Sequence, residues 1–332
     1  MDAASLAALS CAPGGWDAAG GVDRARAWAF FLGVDVGEAG WERATPTAGG
    51  QEKGAKGGDV SETGHLDEAR PDTAYLVHPP RPGAAPPAHP DERQVALDVE
   101  RSFTAYKLPR ASLPQRRAQL TALIVGTLRR FPELHYYQGF HDVVSVVLLT
   151  MCASASDDAS TAAFLRAQRV VDRLALHFVR DAMTQDLAPI MAQLKIVRNI
   201  VRAANAPYGY ALEDVFAPSL ALVALPWILT LFSHDAPSLP AAQQIFDYIL
   251  SHGPGQVLYV SAALILRQRR YLVDLADEKW VPMEELDMPL VHRILADAMK
   301  LEEGDGGRAD DRRTDDREAG HATQRAQKGN RQ

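Results

Sequence analysis

An all-α fold is what this 332-residue sequence predicts, and three observations lead there. Apolar residues recur at the i, i+3, i+4 spacing of amphipathic helices along most of the chain. Alternating Val/Ile/Thr runs bounded by tight Gly turns, the mark of strands, are nearly absent. No self-similar repeat of roughly 30–45 residues recurs, which removes a solenoid. The expected architecture is one helical core of roughly 210 residues.

The elements follow in chain order. Arg24, Arg26, Trp28, Phe31, Leu32 and Gly33 read as one short helix ending at a glycine. From Gly37 to Pro90, 54 residues hold 9 Gly and 8 Pro, with Val60, Leu66, Leu76 and Val77 as the large aliphatics. Such a stretch buries too little apolar surface to offset its ordering entropy, so 37–90 is expected to be a disordered insertion, its proline-rich end extended. Long loops add little closure entropy, so the short first helix can still pack on the main domain.

An amphipathic helix start follows at Asp91 to Phe103. Ser112 and Pro114 then open a helix whose stripe is Leu120, Leu123, Ile124, Leu128 and Phe131. Val143 to Met151 forms an apolar helix, and Val170, Val171, Leu174 and Phe178 mark another. Asp157 and Asp158 precede that one, where carboxylates complement the helix dipole. Leu187, Ile190, Met191, Leu194, Val197, Ile200 and Val201 give a clean stripe. Leu239 to Leu250, Val257 to Leu266 and Met288 to Met299 complete the set. From Glu302 to Gln332, 8 acidic and 7 basic residues occur with no aliphatic larger than Ala, so 302–332 is expected to be a disordered charged tail.

Val215 to Ser233 is the one run that invites a membrane reading, with 19 residues and no charge. It contains Pro218 and Pro226, and no Lys/Arg cluster flanks one side of it. A buried central helix is the expectation instead.

Composition bounds function as well. A content of 47% hydrophobic and 23% charged residues suits a soluble globular protein, and a net charge of −7 disfavours nucleic acid. Cys11 and Cys152, 141 positions apart, cannot make a disulfide framework or a thiolate zinc site and suit a reducing cytosol. Met1-Asp2 begins no basic n-region, so no secretory signal is expected. GxxxxGK with Ser or Thr, GxGxxG, GxSxG and HExxH motifs do not occur. His135 and His141 are six apart, the wrong spacing for two ligands on one helical face.

Two stretches carry a signal. In the first, Val95-x-x-Asp98-x-x-Arg101-Ser102 pairs a carboxylate and a guanidinium at i,i+3. The second runs Phe131-Pro132-Glu133-Leu134-His135-Tyr136-Tyr137-Gln138-Gly139-Phe140-His141-Asp142. Alone, each has an ordinary reading, as a helix start and as an aromatic turn between helices.

Together, in this order in a helical chain, they resemble the two fingerprint motifs of the TBC domain, a family of GTPase-activating proteins for Rab GTPases. Gly14-Gly15, Arg24, Trp28, Leu32 and Gly33 are similar to the family's opening helix, and Trp227 to Phe232 to its central buried helix. The resemblance covers about residues 14–36 and 90–300, which sets the expected domain at 14–300, interrupted by 37–90. The version His135 to Asp142 looks most like the branch acting at the endoplasmic reticulum and early Golgi. Val95 and Ser102 stand where the family usually has Ile and Thr. The polar tail stands where that branch usually carries a hydrophobic anchor.

The resemblance implies a GTPase activator that supplies Arg101 and Gln138 in trans to a GTP-bound Rab. Asp98, Tyr136, Gly139 and Asp142 would support those two residues. It implies no cofactor of the protein's own, since GTP and Mg²⁺ belong to the partner. It also implies a cytoplasmic location, with peripheral association at the cytosolic face of ER/Golgi membranes. The competing expectation is a catalytically silent Rab-binding or scaffold module, against which the presence of both Arg101 and Gln138 counts.

Overall fold

The computed structural model describes residues 2–12, 14–20, 22–34, 87–104, 106–153, 157–210, 223–268 and 286–304. Of residues 157–161 only the helical backbone is described, so the expected capping by Asp157 and Asp158 lies outside it. Most of 37–90 and of 302–332 also lies outside. Among the described residues there are helices and turns and no strand.

The first helix, α1 (Ala3–Ser10), carries no periodic stripe, yet Leu6 and Ser10 are fully buried. Asp2 caps it through the Ser5 N–H, and the Trp16 indole of α2 (Gly15–Ala19) donates to the Leu6 carbonyl at 2.8 Å. Next comes α3 (Arg24–Phe31), which ends as expected at a glycine. Gly33 has φ +63°, a conformation costly for other residues, and lets Val34 N–H reach back to the Ala29 carbonyl at 2.8 Å.

The next group is α4 (Glu92–Glu100), α5 (Leu113–Arg130), α6 (Phe140–Met151) and α7 (Asp157–His177). Of the predicted stripe, Phe131 is the C-cap of α5 and only partly buried, while Leu120, Leu123, Ile124 and Leu128 are fully buried. Each such side chain contributes about 1.5–3 kcal/mol of transfer free energy. Arg130 and Thr127 of α5 both bond Asp172 of α7, at 2.7–2.9 Å. Residues 87–90, inside the stretch expected to be disordered, belong to this group: His89 is buried, and its N–H donates to Glu92 at 2.7 Å.

The remaining helices are α8 (Ala188–Ala204), a single helical turn at 206–210, α9 (Leu225–Thr230), α10 (Leu239–His252), α11 (Gln256–Arg267) and α12 (288–304). α8 packs along α11, while α10 takes α1, α3 and α6. The last helix runs three residues past Leu301, because Glu302 there accepts the Gln256 amide at 2.6 Å.

One expected helix is corrected. Residues 215–222 lie outside the described residues, and the rest of the run does not continue as a helix to Ser233. α9 stops at Thr230, and Leu231 and Phe232 are left-handed, with φ +49° and +66°. Two such residues cost about 1–2 kcal/mol each. Burial of both side chains, the stacking of Phe232 on Trp227 at 5.5 Å, and the Phe232 N–H on the Trp227 carbonyl offset that cost. No described helix is long and apolar enough to cross a membrane.

Candidate functional site

Arg101 is the C-cap of α4, where the helix is already unwinding. Its neighbours fix the backbone. Ser102 is buried and its hydroxyl returns to the Asp98 carbonyl at 3.1 Å, and Phe103 is buried at φ +68°. The Arg101 side chain stays 69% exposed, while that of Asp98 is 0% exposed. A 2.6 Å bond from Nη2 to Asp98 Oδ1 joins them. Asp98 also takes Gln94 Nε2 at 3.2 Å and the Tyr136 hydroxyl at 3.0 Å. Burial works against ionisation of Asp98, but the donors from Gln94, Arg101 and Tyr136 outweigh it and hold the carboxyl below its ordinary range.

Gln138 lies in the loop between α5 and α6, and this loop is tied down on three sides. His135 N–H donates to the Met183 carbonyl at 2.8 Å. Tyr136 N–H donates to Asp91 Oδ2 at 2.9 Å, and the Tyr137 hydroxyl donates to the Leu229 carbonyl of α9 at 2.6 Å. Gly139 follows at φ +117° as the N-cap of α6. A Cβ at Gly139 would come within 3.0 Å of Thr230 Cγ2, so both space and dihedral favour glycine. Gln138 itself is exposed, standing between the pinned Tyr136–Tyr137 pair and that glycine.

The two motifs therefore meet through the Asp98–Tyr136 bond, which carries Arg101 on one end and the Gln138 loop on the other. Burial raises the Tyr136 hydroxyl pKa, and the Asp98 charge and hydrogen bond raise it further, so it is a neutral donor. Beside Gln138 a cleft of about 280 Å³ opens, walled by Leu225, Pro226 and Leu229 on one side and His141, Asp142 and His234 on another. Asp142 reaches His234 Nδ1 at 3.1 Å, so the left-handed end of α9 is what brings His234 to the site. Among the described residues no group of His, Cys, Asp or Glu is arranged to hold a metal ion.

All six residues singled out in the sequence thus fall in one region: Asp98, Arg101, Tyr136, Gln138, Gly139 and Asp142. Four others were not singled out: Asp91, Gln94, His141 and His234. Gln94 precedes Asp98 by four positions, a helical spacing that would have found it. Asp91 and His234 lie 45 and 92 positions from their partners, which no local pattern reports.

Comparison with known proteins adds the following. The family model of the Rab-GTPase-TBC domain matches residues 82–273. GTPase-activating protein gyp10 of Schizosaccharomyces pombe is 32% identical over 189 residues, covering 57% of this chain and 47% of that protein. Human TBC1 domain family member 20 is 27% identical over 210 residues, covering 62% and 46%. GTPase-activating protein GYP8 of Saccharomyces cerevisiae is 29% identical over 181 residues, covering 49% and 36%. The chain thus spans less than half the length of each of these relatives. The crystal structure of the Ypt/Rab-GAP domain of Gyp1p aligns over 90% of this chain and 92% of its own, with TM-score 0.50 and 12% identity, a likeness of fold.

Proposed function

The chain belongs to the Rab-GTPase-TBC domain family, and we propose that it accelerates GTP hydrolysis by a Rab GTPase, lending Arg101 and Gln138 to the partner's active site. One observation carries this reading. An exposed arginine and an exposed glutamine stand on two motifs that are braced against each other by the Asp98–Tyr136 hydrogen bond.

The chemistry suits those side chains. Small GTPases hydrolyse GTP slowly because charge growing on the phosphate oxygens is under-stabilised and the attacking water is poorly held. Arg101 brings a planar cation with five donors, a contribution worth about 10³–10⁵ in rate, or about 4–7 kcal/mol of barrier. Asp98 holds one edge of the guanidinium and leaves the rest to meet phosphate oxygens. The Gln138 amide can accept from the water while donating to the phosphate. The fixed loop lowers the entropy lost in aligning it.

The partner in this reading is a GTP-bound Rab, which supplies nucleotide and Mg²⁺. The working unit in this reading is the expected 14–300 domain with α1 packed on it, and residues 87–90 belong to its helical group rather than to the insertion. The His135–Asp142 version of the second motif supports work in ER–Golgi vesicle traffic, at the cytosolic face of those membranes.

The test is single-turnover hydrolysis by a panel of purified GTP-loaded Rab proteins with the full chain added. Acceleration of at least one Rab, lost in Arg101→Ala, is the expected result. A Rab that binds the chain in its GTP form with no acceleration would make it a binding module instead.

A further inference from the structure

Beneath the two exposed side chains runs an unbroken line of polar contacts. Arg101 Nη2 meets Asp98 Oδ1 at 2.6 Å, and Asp98 Oδ2 lies 3.0 Å from the Tyr136 hydroxyl. That hydroxyl lies 3.1 Å from His141 Nδ1, and His141 Nε2 lies 3.4 Å from Asp142 Oδ1. Asp142 Oδ2 in turn lies 3.1 Å from His234 Nδ1. The Gly139 N–H also points at His141 Nδ1, at 3.4 Å. One ring nitrogen therefore touches the supports of both functional side chains: Tyr136, which braces Asp98 under Arg101, and Gly139, the residue after Gln138.

Counting protons limits what that nitrogen can do. A hydroxyl has one hydrogen to give, and an ionised carboxylate has none. When Tyr136 donates to Asp98, its oxygen can only accept from His141, so Nδ1 must carry hydrogen and cannot take the Gly139 N–H. When Nδ1 is bare, it takes the Gly139 N–H and competes with Asp98 for the Tyr136 hydrogen. Asp142, beside Nε2, favours hydrogen there in the neutral ring, which leaves Nδ1 bare. The ring is 13% exposed, so it acts on its neighbours rather than on a partner.

We propose that His141 is a positioning residue that couples the Arg101 and Gln138 supports by exchanging its Nδ1 contact between the Tyr136 hydroxyl and the Gly139 amide. The proposal rests on the Rab-activating reading for its consequence in turnover, and on geometry alone for the coupling.

The experiment has two arms. In the protein alone, ¹⁵N NMR follows the His141 ring and the Gly139 amide in wild type and Tyr136→Phe. Removing the hydroxyl should move Nδ1 to the unprotonated, acceptor-type position and shift the Gly139 amide with it. An Nδ1 signal that stays in place overturns the coupling. In turnover with a responsive Rab, His141→Leu should lower kcat by about 10-fold while KM stays within about 3-fold. His141→Asn, whose amide can occupy the place of Nδ1, should recover to within about 3-fold of wild type and guards against a loss of folding. In a Tyr136→Phe background, His141→Leu should add less than about 2-fold. Wild-type kcat in His141→Leu, or a fully multiplicative double variant, overturns the positioning role. If no Rab responds even to wild type, the activating reading fails, and the NMR arm alone decides the coupling.

Discussion

Arg24 and Arg101 each meet an aspartate whose side chain is wholly buried, Asp247 in one case and Asp98 in the other. Arg24 spends its whole fork on two carboxylates of its own chain, buried Asp247 and surface Asp17. Nε donates to Asp247 at 2.8 Å, and Nη1 and Nη2 clamp Asp17 at 2.7 and 2.9 Å. The Trp28 indole adds a second donor to Asp247 at 2.8 Å, so the pair fastens α3 to a helix over 200 positions away. Arg24 is 13% exposed, Arg101 69%. Burial pushes the Asp247 carboxyl up to about 7 against the pull of Arg24 and Trp28, whereas the donors around Asp98 hold that carboxyl down. The same ion pair cements two segments in one place and aims a cation outward in the other. What differs is how many of the guanidinium's donors the fold consumes.

The sharpest way to break this contrast is at Arg101. Arg101→Ala should lower kcat/KM on a responsive Rab by about 10²–10⁴, with thermal unfolding nearly unchanged. Arg101→Lys should be nearly as damaging, since an ammonium lacks the planar fork. Gln138→Ala should also be severe, and the Arg101→Ala/Gln138→Ala pair far less than multiplicative because both act on one transition state. Lost stability with unchanged hydrolysis would show Arg101 to be structural after all.

Arg24→Ala should do the reverse. Removing one partner of a buried pair costs about 3–5 kcal/mol. The lower end is expected, because Asp247 can relieve its charge by taking up a proton. Urea unfolding measures the loss, and kcat of the folded fraction should stay near wild type. A fall in kcat comparable to that of Arg101→Ala would erase the distinction between the two arginines.

Gly139→Ala tests the mount of Gln138 rather than the side chain. The dihedral of +117° and the Thr230 methyl at 3.0 Å together should cost about 1–3 kcal/mol. Part of that should appear as lower kcat if the α6 N-terminus shifts to relieve it. A fully active and fully stable variant would mean the loop accommodates an ordinary residue.

The smallest effect concerns Glu92, which Arg129 grips at 2.6 and 2.7 Å. The Arg129 hydrogen bonds, with the His89 N–H, hold its carboxyl from the ordinary 4.5 down to about 2. A depressed carboxyl stabilises the fold above its unfolded value and loses that contribution as pH falls from 4.5 through about 2. Wild type should therefore exceed Glu92→Gln by about 0.2–1 kcal/mol at neutral pH, as partly exposed pairs do, and the gap should close on acidification. A gap that stays constant down to pH of about 3 would place the stabilisation in packing instead.

Legibility in the sequence followed the range of the signal. The α5 stripe, the Gly33 stop and the i,i+3 pairing of Asp98 with Arg101 are short-range patterns, and each appears where its spacing put it. α1 was missed because its burial rests on Leu6 and Ser10 alone, in an alanine-rich helix without a stripe. The break at Leu231 was missed because an uncharged run has no polar face to show where a helix ends.

The residue types and their spacing were enough to determine the helical class and to mark the two motifs, because those properties depend on neighbours within a few turns; Arg101 and Gln138 were named only through the resemblance to the TBC family. Tertiary structure alone decided that Tyr136 would brace Asp98, that Asp91 and Leu229 would hold the Gln138 loop, and that His234 would face Asp142. It also decided which arginine would have its whole fork consumed and which would keep most of it exposed. These pairings join residues 38 to 92 positions apart, and only the packing of helix against helix sets such distances, since a hydrogen bond needs its donor placed to within a few tenths of an ångström.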